Sequence, residues 1–111
     1  MLVFNLKKEW FDKIATGKKT VEYRLVKPHW ISRVNNALKE YKGISLSVYL
    51  ENKRLGVNIP IAIPCSFVLG YTDTKIQGTI TAIDIEFKAC TDLRNDTTDI
   101  DKCFCFDFIL N

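Results

Sequence analysis

The apolar positions at the start of the chain predict a strand followed by a short helix. Residues 2–6 read LVFNL, a run with the length and composition of a buried strand. Three apolar residues then recur at helical spacing, namely Trp10, Phe11 and Ile14. Gly17 follows at the position where a left-handed residue commonly ends a helix. Because a two-turn helix is marginal in water, its apolar face is expected to pack on the sheet.

Strict alternation of apolar and polar residues after Gly17 predicts a second strand. The apolar set, Val21, Tyr23 and Leu25, alternates with the polar set, Thr20, Glu22 and Arg24. Glu22 and Arg24 are therefore expected on the same side of the strand, as solvated charges in the simplest interpretation. Pro28 ends this strand, and apolar residues at helical spacing up to Gly43 predict a longer second helix.

The second half of the chain predicts mainly strands, which the sequence places at residues 44–50, 65–71, 75–87 and 103–110. The third of these has the clearest alternation, with Gly78 as the candidate for a bulge. Two prolines within residues 51–64 favour a loop or an edge strand. The polar residues 91–101 have no periodicity and are typical of an exposed loop.

This order of elements predicts one α+β domain over residues 1–111. A chain of 111 residues fits a single domain with its own core. A small β-barrel of about five to seven strands, with two main helices packed on it, buries this many short strands economically. The pattern does not favour a doubly wound parallel sheet.

Composition indicates an ordinary soluble domain, with 47% hydrophobic and 26% charged residues. No apolar run approaches the roughly 20 residues of a membrane span, and the start does not resemble a signal peptide. A cytoplasmic location without a membrane partner is therefore expected. The four cysteines include no C-x-x-C pair, so we expect reduced thiols, no metal site and no cofactor.

Charge is distributed unevenly between the two halves of the chain. Residues 1–54 contain 12 Lys and Arg and 5 Asp and Glu, a net charge of +7, whereas residues 55–111 contain 4 and 8, a net charge of −4. The two values sum to the net charge of +3 for the chain. Such asymmetry favours a basic face that meets phosphate and makes nucleic acid a candidate partner.

The segment GKKTVEYR, residues 17–24, concentrates the candidate chemistry. Lys19 leaves the helix end while Glu22 and Arg24 share one side of the next strand, so the three side chains can converge. Arg offers a planar fork, Lys an ammonium and Glu an acceptor, a set suited to an anionic or nucleobase-like ligand. Lys18 and Thr20 lie between them as further ligand-binding candidates. The structural alternative is a capped helix followed by solvated charges.

The same segment resembles the signature of a known family. Four residues reproduce the G-x-K-x-x-E-x-R motif of the ASCH domains in the PUA-like superfamily: Gly17, Lys19, Glu22 and Arg24. YRLVKPHWISR is similar to an extension of that motif in small bacterial and phage members, and FVLGY and GTITAIDIEF are similar to later segments. The resemblance implies a PUA-like β-barrel with a cleft and RNA-related roles, including hydrolysis of acetylated cytidine or RNA in some small members.

One position departs from the acetylcytidine hydrolases of that family. A nucleophilic threonine is expected five residues after the glycine, where this chain has Glu22. Binding of RNA or a modified nucleoside is therefore the favoured function. A metal-independent hydrolase or ribonuclease is the first alternative, with Lys19, Glu22 and Arg24 as catalytic residues. A protein-interaction domain is the second.

Three residues outside the segment are further ligand-binding candidates. Trp30 either packs in the core or offers an aromatic platform to a base. Arg33, one turn later, is a candidate for phosphate contact, with a solvated helix face as the alternative. Tyr71 follows Gly70 in a predicted turn and can line the same cleft. The single histidine, His29, is interpreted as a surface residue. The sequence leaves the oligomeric state open.

Overall fold

A computed structural model of the protein describes residues 1–89 and 100–111. The elements within these ranges are β1 (Leu2–Leu6), α1 (Lys8–Ala15), β2 (Val21–Leu25), α2 (Pro28–Lys42), α3 (Leu46–Arg54), β3 (Ile63–Leu69), β4 (Lys75–Ala89) and β5 (Ile100–Leu110). The α+β class expected from the sequence is confirmed. The helix count differs, because three helices rather than two lie in the described part of the chain.

The five strands form one mixed sheet with the order β1-β3-β4-β5-β2, curved into a half-barrel. β1 pairs with β3 in parallel, and the other three pairs are antiparallel. β1 and β2, which flank α1 in sequence, are therefore the two edges of the sheet. This topology places the segment that follows α1 at the edge of the half-barrel.

Stacked aromatic rings form the centre of the core on the inner face of the sheet. Phe4 of β1 contacts three other rings, with centroid distances of 5.3 Å to Trp30, 5.4 Å to Phe67 and 5.1 Å to Phe106. Such pairs contribute about 0.5–1.5 kcal/mol each beyond the burial of their area. Trp30 lies in the first turn of α2, so this ring cluster fixes the start of that helix against the inner face of the sheet.

The predicted strand over residues 44–50 is wrong, because this stretch enters α3. The hydroxyl of Ser45 accepts a hydrogen bond from the Val48 backbone N–H at 3.2 Å and caps the helix. Leu46 and Tyr49, three residues apart, are buried on one face. The Ile83 backbone N–H donates to the Tyr49 hydroxyl at 3.1 Å. This contact fixes α3 to the sheet beside the irregular part of β4.

The remaining strand predictions agree with the structure except at the bulge and around the prolines. Residues 51–54 belong to α3, and residues 55–62 form no strand before β3 begins. The register of β4 against β5 shifts between Ile80 and Ala82, not at Gly78. Of the predicted polar loop, residues 91–99 lie outside the described residues, and the last two residues belong to β5.

Cys65, Cys103 and Cys105 are buried within the sheet. Cys65 has a free thiol, whereas Cys103 is disulfide-bonded, so the expectation of reduced cysteines is wrong at Cys103. No cluster of three or more metal-ligating side chains occurs among the residues that the structure describes. Within the same residues, no helix combines the length and hydrophobicity needed to cross a bilayer.

Candidate functional site

The charged side of β2 is its inner side. Glu22 lies opposite Phe106 and Arg24 opposite Phe104 in the antiparallel pairing with β5. Both phenylalanines are fully buried, and residues directly opposite in a pair share one face of the sheet. Glu22 itself is only 2% exposed. The prediction that Glu22 and Arg24 share a side is confirmed, but the interpretation of this pair as solvated charges is wrong.

The carboxylate of Glu22 is held by three donors. Oε1 accepts from Lys19 Nζ at 3.0 Å and from the backbone N–H of Tyr23 at 3.1 Å. Oε2 accepts from an Arg24 guanidinium nitrogen at 2.9 Å. A buried carboxylate is costly unless it is paired and hydrogen-bonded, and these donors provide both. The position of Glu22 is therefore set by Lys19 on one side and Arg24 on the other.

The guanidinium of Arg24 reaches across the open side of the half-barrel. The nitrogen that contacts Glu22 also donates to the backbone carbonyl of Asn5 on β1 at 3.0 Å. Its Cζ lies 5.3 Å from the ring centroid of Phe4 and 5.4 Å from that of Trp30, within the range of a cation–π contact. Its Nε is buried and has no hydrogen-bond partner within the described part of the chain. Arg24 thus links β2, β1 and α2.

The end of α1 places Lys19 beside the carboxylate. Gly17 has φ of 77°, a left-handed conformation that turns the chain out of the helix. The backbone N–H of Lys19 then donates to the Lys13 carbonyl at 3.0 Å. Lys19 Nζ lies 4.8 Å from the ring centroid of Trp10. The Lys19 side chain is only 13% exposed, so aromatic and acidic neighbours enclose most of it.

Of the other predicted site residues, four adjoin this cluster and one lines a separate pocket. Lys18 and Thr20 line a shallow pocket of about 330 Å³ next to Lys19. Trp30 is 6% exposed and stacks on Phe4, which favours the packing role over a ligand platform. Arg33 extends the cluster, since its Cζ lies 5.1 Å from the Trp30 ring centroid. Tyr71 is 97% exposed and lines a separate pocket with Asn5 and Lys7.

Three residues that were not predicted take part in the cluster: Asn5, Trp10 and Lys13. Trp10 and Lys13 are three residues apart on α1, and Lys13 Nζ lies 4.4 Å from the Trp10 ring centroid. That spacing is a detectable signal for two neighbouring side chains on a helix. Asn5 contributes only its backbone carbonyl, so its side chain offers no signal in the sequence.

The cluster is a buried carboxylate flanked by two partly exposed cations, each of which contacts a tryptophan. Lys19 and Arg24 together exceed the charge of Glu22 by one, and the Arg24 side chain is 19% exposed. Cations in this setting can hold an anion or an acceptor group at the surface of the cluster. Comparisons with family models, curated proteins and solved structures give no match for this chain.

Proposed function

We propose that the protein binds RNA or a modified nucleoside at the basic cluster of Lys19, Glu22 and Arg24. The observation that supports this most is the buried ion-paired carboxylate, whose two cations keep an excess positive charge at the open edge of the sheet. A stable fold rarely needs a buried carboxylate, because apolar residues of similar volume often serve as well. Binding of an anionic ligand would explain why this carboxylate and its two cations are present at the edge of the sheet.

Further basic residues extend the proposed binding surface. Lys18 and Thr20 lie on one side of Glu22, and Lys27 and His29 line a shallow pocket with Arg24 on the other. Arg33 lies beyond Trp30. A row of cations with neighbouring aromatic rings is typical of surfaces that follow a single strand. Tyr71 belongs to the proposed surface only at its margin, near Asn5.

We also propose that the chain is an ASCH domain with a PUA-like barrel. The motif lies at the junction of α1 and β2, and the five-stranded half-barrel is compatible with a partly open barrel of that kind. A cytoplasmic location is also part of the proposal.

Catalysis is the second candidate function, and the geometry around Glu22 favours it less. A general base must come within about 2.6–3.2 Å of the proton that it removes. Both oxygens of Glu22 already accept hydrogen bonds, and the residue is nearly fully buried. An enzyme that used this carboxylate would first have to displace Lys19 or Arg24 from it.

Binding and turnover measured together on the same variants test the proposal. Purified protein is titrated with single-stranded RNA oligonucleotides and modified nucleosides, including acetylated cytidine, while cleavage and deacylation are followed. Arg24→Ala should weaken RNA binding and Glu22→Gln should retain it, with folding of each variant checked by circular dichroism. Lys39→Ala, at the far end of α2, is the matched control for loss of one positive charge.

Each alternative function predicts a different result in this experiment. An enzyme that uses Glu22 loses turnover in Glu22→Gln while binding persists. In a protein-interaction domain, no nucleic-acid signal depends on Lys19, Glu22 or Arg24. Absence of RNA and nucleoside binding by the unmodified protein at low salt would overturn the proposal.

A further inference from the structure

Three lysines gather on the α1 side of the buried cluster, at the junction of α1 and β2. Lys13, Lys18 and Lys19 line the shallow pocket of about 330 Å³ together with Trp10 and Tyr23. Among the residues that the structure describes, no carboxylate lines this pocket. Three lysines therefore line one small volume together with two aromatic residues.

The end of α1 holds two of these lysines on one ring. The bond from the Lys19 N–H to the Lys13 carbonyl, 3.0 Å long, brings the two residues together although they are six apart. Their Nζ atoms lie 4.8 Å and 4.4 Å from the centroid of Trp10. The indole thus supports two cations, which restricts where their charges can lie. This is more order than exposed lysines usually have.

The charge of this pocket is only partly neutralised. Lys19 pairs with Glu22, but no ion pair in the described ranges 1–89 and 100–111 involves Lys13 or Lys18. Like charges that converge without a counter-charge repel one another, and an anion in the pocket would relieve this repulsion. A phosphate group has the charge and the acceptor oxygens to contact several ammonium groups at once.

We infer that the pocket at Trp10 is a phosphate-binding subsite formed by Lys13, Lys18 and Lys19. This inference rests on the proposed function and narrows its ligand to a phosphate-bearing one, an RNA strand or a nucleotide, rather than an uncharged nucleoside. Lys19 belongs to the subsite and also contacts Glu22. The phosphate would therefore lie on the α1 side of the Glu22 carboxylate, and the pocket next to Arg24 would lie on the opposite side. The strand would pass over Glu22 between them.

A purely structural role for these lysines makes a different prediction. Cations near the end of a helix interact favourably with its dipole, and Lys13 is in the last turn of α1. Lys39 and Lys42 occupy the last turn of α2 and have the same relation to that helix. The double variant Lys39→Gln/Lys42→Gln therefore removes the same charge, and at least as many helix-end lysines, without touching the pocket.

The experiment compares Lys13→Gln/Lys18→Gln with this control at several salt concentrations. Binding of a single-stranded RNA oligonucleotide, of cytidine 5′-monophosphate, of cytidine and of inorganic phosphate is measured for each protein. Each phosphate contact contributes about 0.7 to the slope of log K against log salt for single strands. We expect the pocket variant to lose about 1.4 of this slope and to bind the monophosphate at least tenfold more weakly. The control should match the unmodified protein.

The outcomes separate this inference from the proposed function. Equal affinity for cytidine and its monophosphate, or equal losses in the two double variants, would overturn the subsite while RNA binding through Arg24 still stands. Binding of monophosphate or phosphate that depends on Lys13 and Lys18, without binding of RNA, would support the subsite and contradict the RNA proposal. If no phosphate-bearing probe binds, the subsite is wrong, and if cytidine and the modified nucleosides also fail to bind, the proposed function is wrong as well.

Discussion

Arg24 and Asn5 join the two edge strands of the half-barrel through a single hydrogen bond, from the guanidinium to the Asn5 carbonyl at 3.0 Å. The same guanidinium holds Glu22 at 2.9 Å. Closure of the sheet and construction of the candidate site therefore depend on one side chain. This dual role explains why Arg24 lies on the inner side of β2 among aromatic rings and not in solvent.

Arg24→Lys should destabilise the protein although it preserves the charge. A lysine ammonium lacks the planar fork, so it cannot reproduce the contacts with both Glu22 and Asn5. We expect a loss of about 1.5–3 kcal/mol in the free energy of unfolding, the range for hydrogen bonds to charged groups. Urea unfolding measures it. Arg33→Lys is the matched control, because Arg33 also contacts Trp30 but is exposed; equal losses would contradict the bridging role.

Glu22→Gln should cost more stability than any exposed Glu→Gln change. The substitution leaves Lys19 and Arg24, both mostly buried, without their counter-charge. Removal of one partner from a buried ion pair typically costs about 3–5 kcal/mol. Thermal and urea unfolding give the value, with exposed Glu40→Gln as control.

A double-mutant cycle with Lys19→Met separates the pair from its surroundings. If the two residues interact as the 3.0 Å contact indicates, the combined variant should lose less than the sum of the single losses. Additive losses would contradict the coupling between Lys19 and Glu22.

The sequence predicted the order of most elements but not which side of β2 is buried. Alternation places Glu22 and Arg24 together, yet it cannot show that the partners Phe104 and Phe106 lie on the same side. The usual rule that charged residues face solvent failed because two cations and a backbone N–H satisfy the carboxylate. The pairing of β2 with β5 determines which side of β2 is buried. The two strands are far apart in the chain, and local patterns in a single sequence do not reveal their pairing.

The missed helix α3 has a local explanation. Residues 44–50 alternate well enough to suggest a strand, but Ser45 provides a cap, and Leu46 and Tyr49 have helical spacing. Short apolar runs are ambiguous between strand and helix for this reason. The Ser45 hydroxyl was the signal that could have corrected the prediction.

Ser45→Ala should weaken α3 through its first turn. The variant removes the acceptor for the Val48 N–H, which the Ser45 hydroxyl contacts at 3.2 Å. Loss of a helix cap of this type costs about 1 kcal/mol. Chemical unfolding should show that loss for Ser45→Ala and a change near zero for Ser47→Ala, an exposed serine in the same turn. Equal effects would mean that the cap adds nothing.

Gly78→Ala should destabilise the sheet, although alanine is usually better than glycine within a strand by about 0.5–1 kcal/mol. A Cβ at this position would lie 2.9 Å from the Ile109 carbonyl oxygen and 3.2 Å from the Phe67 ring. The first contact involves backbone of β5 and cannot be relieved by a side-chain rotation. We expect a net loss of about 1–3 kcal/mol, as in other overpacked cores. Lys75→Ala on the exposed start of β4 is the control, and a gain in stability for Gly78→Ala would contradict the close packing.

Cys65 should make the protein less stable in alkaline solution. Burial raises the pKa of its thiol from 9.0 to about 12, although the Gly78 backbone opposes this shift in part. The unfolded chain loses this proton near pH 9 and the folded protein keeps it up to about pH 12, so the stabilisation is complete below pH 9 and is lost between the two values. One proton corresponds to about 1.4 kcal/mol per pH unit. Urea unfolding at pH 8, 9.5 and 11 gives the free energy of unfolding as a function of pH. This free energy should fall less steeply with pH in Cys65→Ala, by the amount given above, whatever that variant's stability at pH 8. Parallel slopes in the two proteins would show that the thiol ionises equally in both states.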